Sequence, residues 1–250
     1  MDTIDSFMKP ILDFINKVDA EIIIVDNLSI DGTADRILSF QKILGNRLVF
    51  KQVSCNRGKG RRLAINLARG EYILNLDADI CYEGLTAMLH VAEENENENI
   101  VIFRGSFYGA TATFGPTDFF QNVANYPPLN YAEDLYVWKV AENLGRLRVI
   151  DSNDKWMIPI EREISHKLKN GEKRYSQNRL ELWKRRIENV SDILFVEHCN
   201  FAFYRKNFTD GRLQTLPYAI LLYSIGSVFT KKIKLESPDE LIKRMSTTNP

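Results

Sequence analysis

Cysteine is scarce: Cys55, Cys81 and Cys199 are the only three in 250 residues. The number is odd and no C-x-x-C pair occurs, which argues against a disulfide framework or a structural zinc site. A reducing compartment follows as the default. Excess charge is also missing, because lysine plus arginine and aspartate plus glutamate stand at 33 each. No overall field draws the chain to nucleic acid, and any anion site has to be local. There is no basic start followed by an apolar run and a small-residue cleavage site, so a secretory leader is not expected and the cytoplasm is the expected location. A full membrane span is lacking too. The most apolar stretch, 213–230, is broken by Pro217, Gly226 and polar residues, short of the roughly 20 apolar residues a spanning helix needs. It reads first as a buried helix and next as one docked at a membrane interface. Two nucleotide fingerprints fail on spacing. A dinucleotide loop needs glycine three residues after Gly60, where Leu63 stands, and a Walker loop needs a glycine five residues before its Gly-Lys.

What is present begins with EYILNLDAD at 71–79, an apolar run that stops on two carboxylates. It is predicted as a buried strand that delivers Asp77 and Asp79 to its C-terminal edge, where ligands gather in a parallel α/β sheet. A period of two puts both acids on one side of an extended chain, and two hard oxygen donors suit a divalent cation holding phosphate. The alternative is that they cap a helix beginning near Tyr82.

Around this stretch the patterns alternate. Ile4, Phe7, Met8, Ile11, Leu12 and Ile15 recur at helical spacing, with a restart at Pro10 left open. EIIIVDN at 21–27 is a β-branched run of the kind found in strands buried on both faces. A turn at 29–33 leads to a helix through about Leu44, and 47–53 is a further strand. In NRGKGRRLAINLARG at 56–70, Gly58 and Gly60 allow close backbone approach to a ligand, while Lys59, Arg61 and Arg62 supply positive charge. A helix is expected from about Gly60 to Arg69, another over 83–94, and a strand over 100–103. The segment 104–130 shows no clear period and is expected to be a long functional loop. A helix from about Ala132, closed by Gly145, and a strand at 146–151 follow. Glu133 and Asp134 then sit in a first helical turn, where dipole complementarity alone explains two acids. The alternation through Asp151 predicts an α/β fold with a parallel or mostly parallel sheet.

Three blocks taken in order resemble family-2 glycosyltransferases of the nucleotide-sugar-dependent GT-A (Rossmann-like) fold: EIIIVDNLSIDGT at 21–33, NRGKG through ARGEYILNLDAD at 56–79, and AED at 132–134. The middle block is most similar to the polyprenol-phosphate sugar transferases. The resemblance extends over about 1–151, and the chain lacks the usual first strand with its proline-threonine-tyrosine-asparagine type turn. It implies a donor-binding and catalytic domain over 1–151 and a mostly helical extension over 152–250, facing acceptor or membrane. Asp26 and Asn27 stand where the family places two aspartates beside base and ribose. Gly58 and Lys59 match the stretch near the nucleotide, Asp77 the metal and ribose contacts, and Asp79 the metal. Asp134, with Glu133 beside it, matches the catalytic base of these inverting enzymes.

The resemblance therefore implies inverting sugar transfer from a nucleoside-diphosphate sugar to an acceptor hydroxyl or phosphate, assisted by Mn2+ or Mg2+. The acceptor can be a glycan, a polyprenyl phosphate or a protein, and peripheral membrane contact stays open. The alternative is a non-catalytic or degenerate sugar-nucleotide-binding relative, for which Asn27 and the missing strand speak. A nucleotidyltransferase would leave Glu133 and Asp134 unexplained. Gln177, Arg179 and Trp183 miss the Q-x-x-R-W spacing of processive members. Lys173 to Val190 reads as a basic amphipathic helix, and His198 is a candidate for completing a metal site of the kind some GT-A enzymes have.

Overall fold

The structure, a computed structural model, describes residues 2–95, 99–105, 111–130, 132–152 and 156–160. The basic helix expected at 173–190, the apolar stretch at 213–230 and His198 lie outside these residues, as does nearly all of the expected extension. Among the described residues no helix is long and apolar enough to cross a membrane.

Helix α1 (Asp2–Ile15) runs through Pro10 without a break. Its apolar stripe of Ile4, Phe7, Met8, Ile11 and Ile15 is buried, as the spacing predicts. Strand β1 (Ile22–Asp26) follows, then α2 (Thr33–Leu44), a short 3-10 turn and β2 (Leu48–Gln52). β1 and β2 pair in parallel, which the intervening helix permits as a crossover. Next come α3 (Arg57–Leu67), β3 (Tyr72–Asn75), β4 (Ile80–Cys81) and α4 (Leu85–Glu94). The remainder comprises β5 (Ile100–Arg104), β6 (Thr111–Pro116), a π-helical turn (Phe119–Val123), α5 (Glu133–Asn143), β7 (Leu147–Asp151) and β8 (Ile158–Pro159).

The second sheet is mixed, in the order β3-β6-β5-β7. β5 and β7 are parallel, whereas β6 runs antiparallel to both β3 and β5. Among the described residues β1 pairs with β2 alone and no ladder joins β1 to β3. One apolar core gathers α1, α2, α4 and the inner faces of the strands, with Met8, Tyr82, Met88 and Phe103 fully buried. A second gathers Ile65 of α3, the segment 119–129 and α5.

Three expectations are corrected. The segment 104–130 is not one loop: it contains β6, whose backbone pairs with a strand on each side and whose Ala112 and Phe114 are buried in the apolar core. β3 stops at Asn75, two residues before the first acid. The period-two argument for Asp77 and Asp79 therefore fails, since Ala78 and Asp79 lie in a turn in which the Ile80 N–H donates to the Asp77 carbonyl at 3.1 Å. The helix expected from about Gly60 to Arg69 begins three residues earlier, at Arg57, so Gly58 and Lys59 lie in the first turn of α3. Asn56 caps it, its side chain accepting from the Lys59 N–H at 2.9 Å.

Candidate active site

The first turn of α3 is where separated parts of the chain meet. On one side Asn27, just past β1, accepts a hydrogen bond through Oδ1 from the Cys55 N–H at 2.9 Å. On the other side the Asn56 amide donates to the Pro128 carbonyl at 2.7 Å, and the Gly58 N–H donates to the Leu129 carbonyl at 2.8 Å. Gly58 is buried, and a Cβ there would lie 1.8 Å from the Pro127 carbonyl oxygen. The close backbone approach expected at this glycine is real, but the partner is the chain's own segment 127–129 rather than a ligand. Lys59 is exposed on the same turn, and its charge reaches the Cys55 thiol, where it opposes the upward push of burial and of Asp26.

Asp26 ends β1 and is buried. Its Oδ2 accepts from the Ser29 N–H and the Gln52 amide, both at 2.9 Å, and its Oδ1 accepts from the Ser29 hydroxyl at 2.5 Å. These donors fold the chain back after β1, and Leu28 takes a left-handed backbone with φ 54°. Ala132, immediately before Glu133, is the other non-glycine residue with positive φ among the described residues, at 60°. Strain of this kind gathers where the chain is held in a special geometry. Both instances adjoin residues singled out from the sequence.

Arg61, one helical turn after Arg57, is the hub. Its guanidinium pairs through Nη2 with Asp77 Oδ1, and its Nε lies 3.4 Å from Glu133 Oε1. Arg57 approaches the same oxygen at 3.7 Å from a largely exposed position. The Tyr126 ring lies beneath Arg61, 5.4 Å from centroid to guanidinium carbon, a favourable cation–π placement. Tyr126 in turn accepts from the Asn75 amide at 2.7 Å.

Asp77 is half-buried and its backbone is held as well. The Asp77 N–H donates to the Tyr82 hydroxyl at 2.9 Å, and that hydroxyl donates to the Thr111 carbonyl at 3.2 Å. Burial pushes the Asp77 carboxyl up, Arg61 opposes the shift and the charge of Asp79 adds to it. Asp79 is exposed, and Asp134, half-buried, is close enough for its charge to act on Asp77, Arg61 and Glu133. Glu133 is 1% exposed, and neither of its oxygens accepts a hydrogen bond among the described residues. Burial pushes its carboxyl up to about 7 against the pull of Arg61.

The structure thus brings Asp77, Asp79, Glu133 and Asp134 into one electrostatic cluster around Arg61. Asp26 and Asn27, at the end of β1, and Lys59, in the first turn of α3, come together around Cys55. Arg61 is expected from the sequence only as one of three positive charges near a ligand, not as a link between the acidic blocks, and Tyr82 and Tyr126 carry no sequence signal for the site. The i, i+4 spacing of Arg57 and Arg61 adds that both can reach one acidic partner from the same helical face. Among the described residues no three His, Cys, Asp or Glu side chains are arranged to hold a metal ion. Two hard oxygen donors, Asp77 and Asp79, in a group where carboxylates outnumber guanidiniums, fit a divalent cation whose other ligands come from phosphate and water.

Comparison with known proteins places the chain in a family. Residues 2–210 match the family described as glycosyl transferase family 2. The chain belongs to that family, and the match continues past 151, where the resemblance by motif ends. A stretch of 86 residues, 33% of this chain, is 36% identical to the poly(ribitol-phosphate) beta-glucosyltransferase of Bacillus spizizenii. Another of 84 residues is 33% identical to the uncharacterized glycosyltransferase YfnE of Bacillus subtilis. These matches span 14% and 21% of the two relatives' lengths. Two solved structures share the fold. S. aureus TarS 1-349 aligns with TM-score 0.54 at 17% identity, over 90% of this chain and 77% of that one. The mannosyltransferase PcManGT from Pyrobaculum calidifontis, in complex with GDP-Man and Mn2+, aligns with TM-score 0.55 at 14% identity, over 98% and 76%. The fold is therefore a GT-A type α/β arrangement.

Proposed function

We propose that this chain transfers a sugar from a nucleoside-diphosphate sugar to an acceptor hydroxyl or phosphate, with inversion at the anomeric carbon. One observation carries the reading: Arg61 ties Asp77, next to the end of β3, to Glu133 at the start of α5, so the two acidic blocks serve one site. Asp79 and Asp77 would hold Mn2+ or Mg2+, which when bound neutralises charge developing on the leaving diphosphate. The Mn2+ and GDP-Man in the mannosyltransferase structure support that assignment. Asp134, half-buried at the start of α5, takes the proton of the attacking hydroxyl. No covalent sugar intermediate is needed, since a single displacement inverts the centre. Glu133, next to Asp134 in the chain and buried, acts through Arg61 rather than on substrate.

Asp26, Asn27 and Lys59 form the nucleotide side of the site. Because Asp26 already accepts three hydrogen bonds, its role is to shape the loop that receives the base. The similarity to a poly(ribitol-phosphate) glucosyltransferase supports an acceptor hydroxyl on a polyol or glycan chain.

The test is thermal-shift screening of uridine and guanosine diphosphates with and without Mn2+. Stabilisation that needs the metal and favours one base is expected, since a ligand at about 100 times its Kd contributes roughly 2.7 kcal/mol. No response to either nucleotide would contradict the reading and favour a non-catalytic relative.

A further inference from the structure

Arg61 uses two nitrogens of one guanidinium for two different carboxylates. Nη2 serves Asp77 and Nε serves Glu133, a fixed planar spread of donors that the single ammonium nitrogen of a lysine does not reproduce. The side chain is only 15% exposed, packs over Tyr126 and springs from a helix whose N-terminal turn is itself bound to segment 127–129. Glu133 is more buried still, and its nearest cations are Arg61 and, 0.3 Å farther, Arg57. A buried carboxylate is costly without a counter-charge.

From this geometry we infer that Arg61 is a positioning residue: pinned by Glu133 from behind, it fixes the Asp77 carboxylate relative to Asp134, joining the donor side of the site to the base side. The inference rests on the reading of Asp77 and Asp134 given above. Its mechanical part, the coupling of three charged side chains across α3, the end of β3 and α5, can be measured without any ligand.

Two experiments test it on the full chain. The first is a pair of double-mutant cycles read by urea unfolding: Arg61→Met with Glu133→Gln, and Arg61→Met with Asp77→Asn. Arg61→Met alone is expected to destabilise strongly or prevent folding, because it strands Glu133. Adding Glu133→Gln is expected to recover at least tenfold in the folding equilibrium constant. A double variant no more stable than Arg61→Met overturns the inference, as do strictly additive effects in both cycles. The second experiment uses the Arg61→Met/Glu133→Gln protein once its fold is recovered. Mn2+-dependent binding of uridine or guanosine diphosphate should weaken at least tenfold against wild type, with Arg61→Lys falling between the two. A double variant that binds within twofold of wild type overturns the positioning role. If the wild type binds neither nucleotide, the proposed function fails on its own account, and the unfolding cycles alone decide whether Arg61 couples the acids.

Discussion

Nε of Arg61 lies 3.4 Å from Oε1 of Glu133, a carboxylate that is 1% exposed and accepts no hydrogen bond among the described residues. The charge of that acid is therefore balanced by proximity alone. Arg57, at 3.7 Å on the same helix, is the second cation in reach, and Asp134 on its own helix opposes both.

A pH dependence of stability follows. The Glu133 carboxyl, ordinarily near 4.5, is pushed up to about 7 by burial, against the pull of Arg61. The folded protein therefore keeps a proton that the unfolded chain releases over this window. Stability is highest below the lower value and falls as pH rises through the upper one, by about 3 kcal/mol if the shift is fully expressed. Urea unfolding between pH 4.5 and 7.5 measures it, and Glu133→Gln should flatten the slope. An unchanged slope in that variant would assign the dependence to other groups.

Glycine substitutions should separate two physical causes. A Cβ at Gly58 would meet the backbone of Pro127 at 1.8 Å and of Leu129 at 2.8 Å, so Gly58→Ala should cost about 3 kcal/mol or more. Gly145 has open space around it but φ of 69°, so Gly145→Ala should cost only about 1 kcal/mol of backbone strain. Equal losses in the two variants would contradict the packing described at the start of α3.

The ladder and the loops were legible to different degrees. EIIIVDN reads as a strand because four β-branched residues in a row suit little else, and the structure has β1 there. The stripe of α1 reads from spacing alone, and its residues are buried. β6 was missed because TATFGP has a glycine, a proline and small residues; its strand character comes from β3 and β5 on either side, which no local pattern reveals. The start of α3 lies three residues before the expected Gly60, because Gly58 is a poor helix former on local grounds and only the Asn56 cap and the backbone of 127–129 hold it in the first turn. Asp77, Asp79, Glu133 and Asp134 were legible as acids at element ends. Arg61 was not, because only the fold brings residue 133 to residue 61.

Tyr82 supports the site at one remove. Its hydroxyl accepts from the Asp77 N–H and donates to the Thr111 carbonyl, and burial pushes the phenol up, so it stays a donor at working pH. Tyr82→Phe leaves two part-buried backbone groups without that partner and should cost roughly 1 kcal/mol. Thermal unfolding measures the loss, and Mn2+-dependent nucleotide affinity should fall with it. A fully stable variant would mean that solvent or a neighbour replaces the hydroxyl.

The most direct measurement compares Asp134→Asn with Asp79→Asn in two readouts on the same preparations: Mn2+-dependent diphosphate binding by calorimetry, and turnover of the sugar nucleotide carrying the preferred base. Asp134→Asn should bind within a few-fold of wild type and lose turnover by about 100-fold or more, the range of a positioned general base, whereas Asp79→Asn should lose metal-dependent binding itself. Equal loss of binding in both variants, or full turnover in Asp134→Asn, would contradict the division of labour between the two acidic blocks.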